Sequence, residues 1–190
     1  MGLFTFIWAN KTNITIKVDN VIHTILPNQI LSLAPIHHIQ FIEGNEAIVY
    51  QFNRKFYCIR DHDKEVGRVG LLFFGNSEIP LINLTANEAK KLQLLHLVFL
   101  DELDTEDNIQ AEILRMLMAG FIIKTTRIIK CQSSFQNVHD EKLDLVRNFN
   151  VLVETHFRKE HYVAFYANLL YKAPKTYQIY FRVMRKARHR

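Results

Sequence analysis

Six short runs of apolar and β-branched residues open the chain: TFIW, NITIKV, NVIHTI, QILSL, IQFIE and AIVYQF, all before residue 53. Turn-forming pairs divide them: Asn10–Lys11, Asp19–Asn20, Pro27–Asn28, Ala34–Pro35 and Gly44–Asn45. Short, evenly spaced runs of this kind predict strands of an antiparallel sandwich or small barrel. A less regular stretch, FNRKFYCIRDHDKEVGRVGLLFFG, leaves room for two or three more strands. The pattern then changes period. Thr85-Ala-Asn-Glu88 is a capping box, in which a threonine hydroxyl accepts from the amide three residues on and the glutamate reaches back. Behind it Leu92, Leu95, Val98, Phe99 and Leu103 recur at helical spacing, and they predict one buried stripe. A second helix is expected after Asp104 or Thr105, with Ile109, Ile113, Met116, Leu117 and Ile123 along one side. Two amphipathic helices joined by a short turn make a helical hairpin. CQSSFQNVHDE has no period and reads as a linker.

A further helix is predicted from about Asp140 to Arg158, burying Leu143, Val146, Phe149, Val153 and Phe157. The stretch HYVAFYANLLYKAPKTYQIYF then holds two short apolar-periodic runs around a Lys-Ala-Pro break. The first would span about 163 to 171, with Val163, Tyr166, Ala167 and Leu170 inward; small Ala167 permits close helix approach. The second would start at Pro174, since proline suits the first helical position, where its missing N–H goes unmissed. Tyr177, Tyr180 and Phe181 form its core side. Lys175, Thr176, Gln178, Ile179 and Arg182 lie opposite, a set able to meet base edges and phosphates. The spacing fits a helix-turn-helix, whose second helix enters the major groove. It fits equally a small helical bundle with a basic surface.

Charge bears on that choice. The chain has 190 residues with 24 Lys+Arg against 19 Asp+Glu, a net of +5. Residues 140–190 hold 11 Lys+Arg against 5 Asp+Glu, a net of +6, and residues 1–139 hold 13 against 14, a net of −1. All the positive excess therefore sits in the last quarter, which suggests a polyanionic partner, nucleic acid first. A solvated basic tail gives the same arithmetic. Hydrophobic residues make up 48%, enough for a core, yet no apolar run reaches the roughly 18 residues needed to span a bilayer. The opening MGLFTFIWANKT lacks a basic start and a small-residue cleavage site. A cytoplasmic protein with no membrane partner is expected. Cys58 and Cys131 have no metal-type spacing and read as buried thiols in a reducing compartment.

The block DLVRNFNVLVETHFRKEHYVAFYANLLYKAPKTYQIYF resembles the first helix-turn-helix unit of the AraC/XylS family of bacterial transcription regulators. The match takes in the leading helix, the alanine of the first motif helix, the turn, the proline opening the recognition helix and the phenylalanine near its end. Upstream, ILPNQILSLAPIHH and EAIVYQFNRKFYCI are similar to that family's cupin-like N-terminal domain. The resemblance implies an α+β chain: a cupin-like β-barrel or sandwich for sensing at 1–82, a helical dimerisation hairpin at 83–131, a linker at 132–141 and a DNA-binding domain at 142–190. It implies a homodimer that binds double-stranded DNA and senses a small-molecule effector. Lys175, Thr176, Gln178 and Ile179 are the expected base-edge contacts; Lys172, Arg182, Arg185 and Lys186 are the expected phosphate contacts. Two positions depart from the family pattern: Ala173 stands where a serine usually caps the recognition helix, and Tyr177 stands for a leucine. Losing a side-chain cap costs about 1 kcal/mol. After Phe181 the family continues into a second helix-turn-helix, whereas this sequence reads RVMRKARHR. The second unit is thus expected to be missing and specific DNA binding to be weakened, with a deliberate fragment, a natural truncation or a shifted frame all fitting. A second reading keeps only the pairing function: an interaction protein that forms dimers and does not read DNA.

An enzyme is the less expected class. Cupin sites often use His-x-His and a glutamate, but here His37 and His38 are adjacent, with Glu43 after and His23 before. Neighbouring residues of an extended strand point to opposite faces, so both cannot enter one barrel; a turn after Pro35 leaves open a site from His23 and one of the pair. His62, in Arg-Asp-His-Asp, reads as part of a solvated loop. Carboxylate pairs Asp61/Asp63 and Asp101/Glu102 have nothing to place them in a cleft. No phosphate loop, nucleophile elbow or Cys-x-x-Cys occurs. No catalytic residue, metal or cofactor is expected.

Overall fold

The computed structural model describes residues 2–53, 56, 71–73, 79–132, 148–149, 152–153, 156 and 159–175. Each of the six predicted runs is a strand: β1 (Phe4–Ala9), β2 (Ile14–Val18), β3 (Val21–Ile25), β4 (Gln29–Leu33), β5 (Ile39–Glu43) and β6 (Ala47–Phe52). A short seventh, β7 (Leu81–Asn83), lies just before the helices. Its three residues are too few to show an alternation. All ladders are antiparallel, in a four-stranded sheet ordered β6-β1-β4-β7 and a three-stranded sheet ordered β3-β2-β5. With the helices below, the chain is α+β.

The turns follow from residue chemistry. Asp19 and Asn20 both take positive φ (48° and 72°) between β2 and β3, as a two-residue hairpin turn with the twist of its strands requires. Pro27 is followed by Asn28 at φ 63°, and the Gln29 N–H closes that turn on the Leu26 carbonyl at 3.0 Å. Gly44 sits at φ 117°, and a Cβ there would meet the Asn13 carbonyl oxygen at 2.9 Å.

Strand β1 explains the layering. FTFIWA is apolar at nearly every position and is buried along its whole length, as a strand covered on both faces must be. Ile7 and Ala9, with Leu31 and Leu33 of β4, pack on Ile14, Ile16, Val18 and Ile25 of the second sheet. Phe4, Phe6 and Trp8 face the other way, into the larger core shared with the helices. β2, ITIKV, alternates buried and half-buried residues, because only one of its faces is covered. β5 is an exposed edge.

Helix α1 (Ala86–Leu103) starts as predicted. Thr85 Oγ1 accepts from the Glu88 N–H at 3.3 Å, and the Glu88 carboxylate accepts from the Thr85 N–H at 2.8 Å. Helix α2 (Gln110–Gln132) follows, with the Asp107 carboxylate accepting from the Ile109 and Gln110 N–H groups at 2.7 Å each. Aromatic contacts seat both helices on the sheet: Phe121 lies 5.1 Å from Phe6 and 4.6 Å from Tyr50, and Tyr50 lies 5.1 Å from Phe99. Such pairs add about 0.5–1.5 kcal/mol beyond area burial. At the far end of α2, Gln132 Oε1 accepts from the Asn83 N–H at 3.0 Å and its Nε2 donates to the Asn83 carbonyl.

Several expectations need correction. Residues 71–73 are helical and buried, not a strand, and Ser32 Oγ donates to the Leu72 carbonyl at 2.6 Å. In α1 the buried residues are Ala89, Leu92 and Phe99, with Leu95 packed beside them, while Val98 and Leu103 are exposed. In α2 the buried side runs through Met118, Phe121, Ile122, Thr125, Thr126 and Ile128; Ile109 and Met116 are exposed. Both helices carry apolar residues around much of their circumference, so the pattern sets the period but not which stripe faces the sheet. Cys131 is exposed, not buried, since it stands one residue from the end of α2. That helix runs to Gln132; the rest of the predicted linker lies outside the described residues.

Candidate nucleic-acid interface

The local geometry from Tyr162 to Lys175 begins with α3 (Val163–Leu169). Tyr162 is extended ahead of it and offers no side-chain cap. At the other end the Tyr171 N–H reaches the Asn168 carbonyl at 3.1 Å and the Lys172 N–H reaches the Ala167 carbonyl at 3.0 Å. These two bonds form a Schellman closure, which satisfies the last helical carbonyls and reverses the chain. It requires a left-handed residue at Tyr171, which has φ 52°. Glycine usually takes that place, because a side chain there costs roughly 1–2 kcal/mol. Three residues on, Pro174 and Lys175 are helical. The first helix and the tight reversal thus stand where the sequence puts them; of the expected second helix only Pro174 and Lys175 are among the described residues.

A small core holds this unit. Tyr166 and Ala167 are buried on Phe149, and Leu152, Val153, Phe165 and Leu170 pack around them. The Phe149 and Tyr166 rings meet edge-on at 5.5 Å, and the Tyr166 hydroxyl donates to the Glu160 carbonyl at 2.5 Å. Fully buried Ala167 allows the close approach expected of it. Val163 departs from expectation: it is exposed, because it sits in the first turn, ahead of the contact with Phe149, and Phe165 packs in its stead. Residues 148–149, 152–153 and 156 are helical; Leu143, Val146 and Phe157 lie outside the described residues.

Of the eight expected DNA contacts, Lys172 and Lys175 are described. Both are exposed and follow the left-handed residue Tyr171. Thr176, Gln178, Ile179, Arg182, Arg185 and Lys186 lie outside the described residues, as do Tyr177, His62, Asp61 and Asp63.

His37 and His38 are both tied to Asp19, one through its ring and the other through its backbone. The chain turns at Pro35–Ile36, closed by the His37 N–H on the Ala34 carbonyl at 3.1 Å, so His37 and His38 are not in an extended strand. His37 Nδ1 meets Asp19 Oδ2 at 2.6 Å and the His38 N–H donates to Asp19 Oδ1 at 2.9 Å. These bonds hold the Asp19 carboxyl below its ordinary pKa. His23 stands across the ladder from Ile16. Among the described residues no three His, Cys, Asp or Glu converge as a metal site, and no helix is long and apolar enough to cross a membrane.

Sequence reasoning missed a half-buried polar pair. The Tyr50 hydroxyl and His96 Nδ1 are 2.8 Å apart, joining β6 to α1. Burial raises the Tyr50 pKa and lowers that of His96. Both shifts favour the neutral forms, a phenol facing an uncharged imidazole across this bond. In sequence Tyr50 reads as one more aromatic of a strand and His96 as one polar position of a helix.

No protein-family model and no curated protein matches the chain in sequence. Among solved structures it is similar to the AraC-like transcriptional activator CuxR, with TM-score 0.48 and 8% identity over 99% of this chain and 66% of that one. It is also similar to ToxT from Vibrio cholerae, with TM-score 0.43 and 18% identity over 98% of this chain and 68% of that one. For wild-type ToxT from strain SCE256 with bound unsaturated fatty acid, the TM-score is 0.41 and the identity 19%, over 100% of this chain and 66% of that one. The chain thus spans about two thirds of the length of these proteins.

Proposed function

We propose that this chain is a DNA-binding transcription regulator of AraC type. In this reading the segment from about 142 reads DNA, the two-sheet half is a cupin-like sensor for a small effector, and the α1–α2 hairpin pairs two copies. The observation that carries it is the reversal at Tyr171: a short helix closed by a Schellman turn, restarted at Pro174, and backed by Tyr166 and Ala167 on Phe149. Lys172 and Lys175 stand exposed at that reversal, inside the segment that holds the whole positive excess of the chain. Cations on a helix-turn-helix position it through phosphates, and base-edge contacts then specify the sequence.

Binding of this kind releases counterions, so its affinity falls steeply with salt. A fluorescence-polarisation titration of the full chain with duplex DNA is expected to show binding at low salt that fades toward physiological salt. No binding even at low salt overturns the reading.

Pairing through the hairpin is favoured by the outer side of α1. Leu94, Leu97 and Val98 are all about half exposed on the side opposite Ala89, Leu92 and Phe99, a contiguous apolar strip of the sort that marks interaction sites. Val98→Glu is expected to halve the mass seen by light scattering while the fold survives. Leu95 packs toward the core, so a charge there tests folding and not pairing. An unchanged mass for Val98→Glu rules out this face.

A further inference from the structure

The corner between α1 and α2 is charged in a way the fold itself does not call for. Residues 101–112 hold Asp101, Glu102, Asp104, Glu106, Asp107 and Glu112 and no Lys or Arg, six of the 19 acidic residues of the chain. The last turn of α1 contains no basic residue, although the carbonyl end of a helix favours cations and disfavours carboxylates. Two of the six have local work: Asp107 caps α2, and Glu112 pairs with Arg115 at 2.6 Å. Asp101, Asp104 and Glu106 are exposed and have no ion pair among the described residues. Glu102 Oε1 is buried without a hydrogen-bond partner there, and an unmet carboxylate oxygen costs more than a neutral one.

The corner is also rigid and greasy. Gln110 Nε2 donates to the Glu102 and Leu103 carbonyls at 3.0 and 3.2 Å, and Thr105 Oγ1 donates to the Asp101 carbonyl at 3.1 Å. Leu103, Ile109 and Met116 are each more than half exposed, with Leu100 only slightly less so. An anionic rim around apolar side chains suits a cationic amphipathic segment. It does not suit a second copy of itself, since that would set six carboxylates against six.

The chain holds one segment of the required chemistry. Residues 172–190 carry seven Lys+Arg and no Asp or Glu, with Tyr177, Tyr180 and Phe181 among them. The two segments are opposite in sign and nearly equal in size, −6 and +7. A tether within one chain raises their effective concentration to about the millimolar range. We propose that the α1–α2 corner is a docking face for the chain's own basic segment 172–190, so that corner and DNA compete for it. The competition rests on the DNA-binding reading; the docking does not.

Carbodiimide cross-linking of the DNA-free full chain, followed by peptide mass spectrometry, is expected to join lysines of 172–190 to carboxylates of 101–106, and excess duplex is expected to suppress those links. Asp104→Asn with Glu106→Gln is expected to tighten DNA binding about three- to tenfold at about 50 mM salt, with the gain lost at about 500 mM. Glu43→Gln with Glu46→Gln makes the same change of net charge on the β half and is expected to alter affinity less than about twofold. Absence of the cross-links, or an equal gain from both pairs of substitutions, overturns the proposal. Cross-links in a protein that binds no DNA at any salt uphold the docking and sink the regulator reading instead.

Discussion

The two ends of this chain use burial differently. The β half and its helical pair bury Phe4, Phe6, Trp8, Leu72, Ile82, Phe121 and Ile122 with many others in one continuous core, and a second cluster fills the space between the sheets. The described C-terminal unit buries Phe149, Tyr166 and Ala167, within the stretch of sequence, 140–190, that holds the positive excess. One region joins residues far apart in sequence through strand pairing and aromatic contacts. The other depends on a short helix, a strained turn and one small residue. A region that keeps cations exposed has less apolar surface to bury, so its share of the stability is expected to be smaller and more local.

Removing a large side chain from the main core gives the largest effect expected. Phe121→Ala should cost about 3–5 kcal/mol, read by chemical denaturation with circular dichroism. Tyr166→Ala should leave that transition in place and abolish DNA binding. A single shared transition lowered equally by both variants would mean that the halves unfold as one unit, and the contrast would fall.

Tyr171→Gly tests the C-terminal unit in the other direction. Glycine takes the left-handed conformation without a Cβ clash, so relief of strain outweighs its greater freedom in the unfolded chain. A gain of about 0.5–1 kcal/mol in the C-terminal transition is expected. A loss there would show that the Tyr171 ring has a role that its exposure hides.

The smallest effect concerns the bond between Tyr50 and His96. Burial lowers the His96 pKa, so the unfolded chain takes up a proton at a pH where the folded chain still refuses it. Stability from this group is then complete above the ordinary histidine range near 6.5 and declines as pH falls below it. His96→Phe should be less sensitive than the parent chain to a shift from pH 7.5 to 5.5. Equal sensitivity would show that the imidazole does not contribute.

Much of the β half is legible in the sequence because its signals are short-ranged. Alternation in ITIKV, the Asp19–Asn20 turn and the Thr85–Glu88 box each depend on residues within a few positions of one another. The candidate DNA-binding unit is legible in outline for the same reason: Ala167 and Pro174 announce a close approach and a restart. Its closure is not, because Tyr171 is a poor left-handed residue and nothing local marks it. The face that α1 turns to the sheet is legible only in part, since Leu92, Leu95 and Phe99 pack inward as expected while Val98 and Leu103 do not, and that of α2 is not. With Leu94, Leu97 and Val98 on one side and Leu92, Leu95 and Phe99 on the other, helical spacing is satisfied by either stripe.

By itself, then, the sequence determined strand extents, turn positions, the start of α1 and the concentration of cations in the last quarter. Only the tertiary structure decided the strand orders β6-β1-β4-β7 and β3-β2-β5, the inward stripes of the two helices, the pairing of Tyr50 with His96 and the left-handed close at Tyr171. The reason is one of range. Dihedral preference, period and charge are properties of neighbouring residues, whereas a strand's partner or a helix's buried face is a choice among distant surfaces, made by whichever packing leaves the fewest apolar groups in water and the fewest polar groups unmet.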